Sequence, residues 1–220
     1  MKTVIFDLDG TLADTSPDLI SAANATFRDL GLGDLLELGK DASTAMKGGR
    51  KMLELGFARA GLSDFDAKID ENYPKILAHY ADCLSDNTRF FDGATEAVQR
   101  LRDAGYRTGI CTNKPVDLAV RLMDELGATH LFDSLIGANS LPVRKPDPAP
   151  FVLSVKEAGG QVEHSVLIGD TITDHKTASS AGVPSVLVTF GPDGHAVADL
   201  NPDALLHSYQ ELEAVLEQLF

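Results

Sequence analysis

The chain has 220 residues and a formal charge of -14, from 19 basic and 33 acidic side chains. Affinity for a phosphate backbone needs clustered cations, and no run of Lys and Arg is present, so nucleic acid is not an expected partner. Hydrophobic residues make up 44% of the chain, enough for a packed core and outside the polar, highly charged class that stays disordered.

The opening MKTVIFDLDG turns acidic at Asp7, and no stretch reaches the roughly 18 apolar residues of a membrane span. Neither a span nor a signal peptide is expected, which predicts a cytoplasmic protein with no membrane partner. A short apolar run at residues 3–6 reads as the first strand. Residues 16–86 then carry several helical stretches and no convincing strand: Ser16-Pro17 starts a helix that Gly31 closes, and Gly48-Gly49 separates two others. Further apolar runs follow at 108–111, 134–136, 166–168 and 185–188. Between them lie helices punctuated by Pro115 and Gly127 and by Thr171 and Gly182. Segment 208–220 reads as an acidic amphipathic helix.

Short buried runs alternating with helices predict an α/β fold, a doubly wound and mostly parallel sheet. The interval 16–86 is far longer than a crossover needs. It is therefore expected to be an all-helical domain inserted into a discontinuous core formed by 1–15 and 87–220. Cys83 and Cys111 have no CxxC or Cys/His spacing and are expected to be reduced, buried thiols.

The first strand delivers Asp7-Leu8-Asp9-Gly10-Thr11 at its carboxyl end. Two acids this close to an apolar strand raise each other's pKa and resist desolvation, although Asp-Gly is also a common turn. Other strands end at Thr112-Asn113 and at Gly169-Asp170, with Asp174 four residues on. Parallel strands joined by right-handed crossovers bring these ends to one edge, where open α/β sheets bind ligands. Lys145, in the proline-bounded loop Arg144-Lys145-Pro146-Asp147-Pro148, is the best-placed cation for that edge. Asp7, Asp9, Asp170 and Asp174 against one Lys ask for a divalent ion, and an all-oxygen donor set favours Mg²⁺ over Zn²⁺.

Asp7-Leu8-Asp9-Gly10-Thr11, Thr112, Lys145 and Gly169-Asp170-Thr171 with Asp174 resemble the four ordered motifs of the haloacid dehalogenase-like phosphatases. The resemblance spans nearly the whole chain. It implies a Rossmann-like core and a helical insert that acts as a cap. Residues 9–19, Thr112-Asn113-Lys114-Pro115 and residues 144–151 look most like the phosphoglycolate phosphatase subfamily. Gly137-Ala138-Asn139 and Gly191-Pro192-Asp193-Gly194 depart from that subfamily's pattern, which touches substrate more than chemistry.

The expected reaction is hydrolysis of a phosphomonoester through an aspartyl-phosphate. Asp7 is the nucleophile and a metal ligand, and Asp9 is the proton donor and acceptor that ligates through its backbone carbonyl. Asp170 is a second carboxylate ligand, and Asp174 is a further ligand or a holder of metal-bound water. Thr112 and Asn113 bind the transferring oxygens, while Lys145 neutralises charge and restrains Asp7. Lys47-Gly48-Gly49-Arg50, at a helix start, is a candidate site for the carboxylate end of a small substrate such as 2-phosphoglycolate. His175, beside Asp174, is a weaker candidate for backing that site. The partner is then a small phosphorylated metabolite, and the protein a monomer or homodimer. A sugar phosphomutase, another small-metabolite or nucleotide phosphatase, and an idle phosphate-binding regulatory module remain open readings.

Overall fold

A computed structural model describes all 220 residues, in two compact units: Met1–Asp14 with Phe90–Phe220, and Thr15–Arg89. The strands are β1 (Thr3–Phe6), β2 (Ala13–Asp14), β3 (Arg89–Phe90), β4 (Arg107–Cys111), β5 (Ser134–Ile136), β6 (Ser165–Gly169), β7 (Ser185–Val188) and β8 (Ala204–Leu206). Six of them form one sheet in the order β5-β4-β1-β6-β7-β8, and β2 and β3 form a short ribbon. Every pairing in the large sheet is parallel.

All four residues of β1 are buried, as an apolar run in the centre of a sheet covered on both faces must be. Phe6 is in register with Ile110 on one side and Ile168 on the other. The chain order runs outward in opposite directions from β1, so the carboxyl ends of β1, β4 and β6 flank a topological switch point, where such sheets open a crevice. The core unit's helices are α5 (Ala94–Asp103), α6 (Val116–Glu125), α7 (Ala149–Glu157), α8 (Ile172–Ala181) and α9 (Leu212–Glu217), completing the series begun by α1 to α4 below. Ile5 and Leu167 of the sheet pack with Phe151 and Val155 of α7 and Ala178 of α8.

The sixth strand, β8, is absent from the sequence reading, because Ala204-Leu205-Leu206 is too short and too exposed to stand out by pattern. The closing helix is also shorter than expected: a 3₁₀ turn at Tyr209–Glu211 precedes α9.

The helical unit holds α1 (Ser16–Asp29), α2 (Ala42–Met46), α3 (Gly49–Arg59) and α4 (Asp66–Asp82). Phe27 of α1 meets Phe57 of α3 edge to face, with ring centroids 5.7 Å apart. Gly56 permits this approach, since a Cβ there would lie 2.1 Å from the Phe27 ring. Asp18 is fully buried and accepts hydrogen bonds from the Asn87 and Thr88 backbone N–H groups at 3.0 and 2.8 Å and from the Thr88 hydroxyl at 2.8 Å. The two ends of the inserted segment are thereby tied through one carboxylate. Both cysteines are free; Cys111 is buried in β4, while Cys83 is only half-buried, so the expectation of two buried thiols holds for one. No helix is long and apolar enough to cross a membrane.

Candidate active site

Asp7 follows the last residue of β1, and its N–H still donates to the Ile168 carbonyl at 2.8 Å. The sheet ladder therefore fixes its backbone. Its side chain accepts from its neighbour's N–H, Leu8, at 2.7 Å and lies 3.0 Å from the Lys145 ammonium. Carboxylate oxygens of Asp7, Asp170 and Asp174 all lie within 4.8 Å of one another. Burial pushes the Asp7 carboxyl up to about 7; Lys145 opposes this, while Asp174 and Asp9 add to it. Asp170, at the end of β6, is driven above the usual carboxylate range for the same first reason, burial, reinforced by Asp174 and Asp7. The Lys145 charge and the Thr11 hydroxyl, which donates to Oδ1 at 3.2 Å, oppose this rise.

Burial alone would depress the Lys145 ammonium, yet Asp174 and Asp7 together hold it above its ordinary range. Asp174 is committed on both oxygens. Oδ1 accepts from Lys145 at 2.6 Å, and Oδ2 accepts from the Thr171 N–H and hydroxyl at 3.1 and 2.8 Å, closing a capping box on α8. It thus positions Lys145 from a rigid helix start, rather than backing Asp170 directly. His175 points elsewhere, with Nδ1 2.9 Å from the Ser185 hydroxyl.

Thr112 follows β4, its N–H donating to the Ile136 carbonyl at 2.9 Å. Its hydroxyl oxygen accepts from the Lys114 N–H at 3.1 Å, which leaves the hydroxyl hydrogen able to donate to a ligand. The Asn113 side chain donates to the Lys145 carbonyl at 3.0 Å and so pins the loop that carries the cation. That loop contains a cis Lys145-Pro146 peptide.

The charge count at this edge needs one correction. Lys114 is a second buried cation, with its ammonium 2.7 Å from Oδ1 of Asp9. The available signal was its place directly after Thr112-Asn113, which made it a neighbour of the same strand end. Two further supports are also invisible to local pattern. Tyr209, buried, donates its hydroxyl to the Thr11 carbonyl at 2.8 Å. Gly191 lies so close to the first turn that a Cβ would come within 2.8 Å of the Gly10 carbonyl.

The remaining sequence-selected residues belong to the helical unit. Gly48, with φ 92°, precedes α3, a conformation that suits glycine. The Lys47 ammonium donates to the Ser43 hydroxyl at 3.2 Å. Arg50 is paired with Asp70 and lies over the Tyr73 ring, 5.3 Å from its centroid.

The donor set suits a hard divalent cation. It supplies only oxygens, and two of its carboxyls are pushed towards the neutral form by burial and mutual repulsion, the condition a cation would relieve. With the Lys145 ammonium 3.0 Å from Asp7, the arrangement fits nucleophilic attack on an anionic, oxygen-rich centre.

Comparison with known proteins agrees. A family model described as haloacid dehalogenase-like hydrolase matches residues 1–182. A phosphoglycolate phosphatase of Caulobacter vibrioides is 37% identical over 216 residues, 96% of this chain and 88% of that one. A phosphoglycolate phosphatase of Agrobacterium fabrum is 35% identical over 214 residues, covering 96% and 91%. Among solved structures, one described as a predicted phosphoglycolate phosphatase from Haemophilus somnus superposes with a TM-score of 0.86 at 25% identity, covering 98% of this chain and 97% of that one.

Proposed function

This chain belongs to the haloacid dehalogenase-like hydrolases, and we propose that it is a phosphatase that hydrolyses a small anionic phosphomonoester, 2-phosphoglycolate or a close analogue, through an aspartyl-phosphate on Asp7. The observation that carries this reading is Asp7 itself, fixed by the central strand, 3.0 Å from a buried Lys145 and ringed by two further carboxylates.

Asp7 Oδ attacks phosphorus while the bond to the leaving oxygen breaks, and that oxygen keeps the electron pair and takes a proton from Asp9. Water then attacks the same phosphorus, giving its proton to Asp9, and Asp7 departs as carboxylate. Lys145 favours the ionised form of Asp7 and orients it, and Thr112 and Asn113 donate to the phosphoryl oxygens as charge builds on them. Asp7, Asp170 and the Asp9 backbone carbonyl would hold Mg²⁺. The hydrogen bonds already made by Asp174 favour its role as holder of a bound water rather than a direct ligand. When bound, Mg²⁺ offsets the carboxylate charge and polarises the phosphate oxygens. Lys47 to Arg50 remain our candidates for the substrate's carboxylate end.

The test is phosphate release from phosphoglycolate, sugar phosphates, nucleotides and pyrophosphate, with and without EDTA. We expect EDTA-sensitive release with the highest kcat/KM on phosphoglycolate. No release from any monoester in Mg²⁺ would remove the phosphatase reading, and retention of the phosphoryl group on a sugar would replace it by a mutase.

A further inference from the structure

Outside the cluster around Asp7, one buried cation in the core unit has no part in the mechanism above. Lys114 has a side chain only 2% exposed, with its ammonium 2.7 Å from Asp9 Oδ1. Burying an ammonium is costly unless a carboxyl oxygen meets it, and the one met here is Oδ1 of Asp9, which enters the first step as the neutral acid and accepts this hydrogen bond in either protonation state. The frame of Lys114 is unusually constrained. Its N–H donates to Thr112 Oγ1 at 3.1 Å, and its carbonyl accepts from the Ala138 N–H at 2.9 Å. Gly137 lies so near that a Cβ would fall 2.8 Å from the Lys114 carbonyl and 2.5 Å from the Val116 Cα. Asn139 takes the Val116 N–H at 2.8 Å and fixes the following helix start. The segment Gly137-Ala138-Asn139, which departs from the related pattern, is thus the brace beneath Lys114.

Asp9 is differently placed. It sits on a turn after β1, beside Gly10 at φ 80°, outside any strand or helix of the large sheet. A proton donor there must hold its carboxyl within hydrogen-bond reach of one oxygen atom, and a turn backbone alone does not set side-chain torsions. We propose that Lys114 is the positioning residue for Asp9: its braced ammonium restricts the Asp9 carboxyl to one orientation, so that the proton is delivered to the leaving oxygen. The inference rests on the reading of Asp7 as nucleophile and Asp9 as proton donor. In the step concerned the Asp7 oxygen–phosphorus bond forms and the phosphorus–leaving-oxygen bond breaks. The electron pair stays on that oxygen, which takes the Asp9 proton. An alkoxide needs that proton; a nitrophenolate leaves without it.

The test compares kcat/KM, set by this first step, for phosphoglycolate, an alkyl phosphate whose alkyl group carries no carboxylate, and p-nitrophenyl phosphate. Wild type, Lys114→Met, Lys114→Arg, Asp9→Asn and the Asp9→Asn/Lys114→Met double variant are measured at saturating Mg²⁺, with thermal unfolding of each. Loss of oriented proton transfer should lower Lys114→Met by roughly 10- to 100-fold on both alkyl phosphates and by less than about threefold on p-nitrophenyl phosphate. Lys114→Arg should recover part of the loss. In the Asp9→Asn background Lys114→Met should cost nothing further, because the two side chains act as a unit. Equal losses on all three substrates, or additive losses in the double variant, would overturn the assignment. A loss confined to phosphoglycolate would overturn it in favour of a substrate-carboxylate site. If Lys114→Met does not fold, Lys114→Gln and Lys114→Arg carry the same comparison. A wild type inactive on all three would instead overturn the phosphatase reading, and this inference with it.

Discussion

In the core unit Asp7, Asp9, Asp170 and Asp174 share one strand edge with two ammonium groups whose side chains are each 2% exposed. In the helical unit the ion pairs stand largely in water: Arg50 is half exposed against Asp70, and Lys51 pairs with Glu54 along one helix face. Among those ion pairs only that of Asp41, gripped by both terminal Arg59 nitrogens at 2.6 and 2.7 Å, has a buried carboxylate. The residue types are the same, and the physics differs. Hydrogen bonds from Arg59, against the opposing effect of burial, hold the Asp41 carboxyl below its usual range. Burial and crowding push Asp7 and Asp170 the other way. A charge that is satisfied by its neighbours marks a structural tie, whereas carboxyls left short of positive charge mark a place that awaits a ligand.

The largest effect expected is at Asp7. Asp7→Asn should lower kcat by on the order of 10⁴-fold, as loss of a covalent nucleophile does, with an unfolding midpoint no lower than wild type because a neutral amide replaces a disfavoured carboxylate. Substantial turnover by the folded variant would refute the nucleophile assignment.

Lys145→Met comes next. It strips Asp7 and Asp174 of their buried counter-charge, so urea unfolding should show a loss of about 3–5 kcal/mol, the range for breaking a buried pair. A change no larger than that of a surface pair would erase the contrast between the two units.

The third concerns pH and metal. The folded-state pKa of Asp7 is about 7 against an ordinary 3.8, so its contribution to stability is complete below about pH 4 and is lost as pH rises through 7; Asp170 acts in the same direction. Mg²⁺ would bind these carboxylates in their ionised form. It should therefore raise the Tm more at pH 8 than at pH 5.5, by about 2–4 °C for each additional kcal/mol. Equal shifts at both values would mean that the ion binds elsewhere.

The smallest effect belongs to Arg50. As an exposed pair, Arg50→Ala should change stability by less than about 1 kcal/mol. Its influence should fall on recognition, raising KM several-fold for phosphoglycolate and leaving a neutral aryl phosphate nearly unchanged, on the order of one buried-free ionic contact. Identical KM changes for both substrates would assign Arg50 to the Asp70 pair alone.

Much of this site is legible before folding. Thr3 to Phe6 and Val166 to Ile168 are apolar runs that end at Asp7 and near Asp170, and parallel strands with their carboxyl ends at one edge bring those acids together. Lys145 follows from charge balance. Other features are not local. Asp174 reads as a helix-turn partner of Asp170, yet its oxygens are taken by Thr171 and Lys145. Lys114 stands in the sequence only as a member of Thr112-Asn113-Lys114-Pro115, and β8 carries no strand pattern.

The chain's local order by itself determined the alternation of buried strands and helices, the inserted helical segment, and which acids end which strands, because hydrophobic period and turn chemistry act over a few neighbouring residues. Only the tertiary structure decided that Lys114 meets Asp9 across 105 positions and that Thr11 meets Asp170 across 159. Such pairings depend on strand register, side-chain torsion and desolvation together, and these quantities exist only once the distant segments are packed.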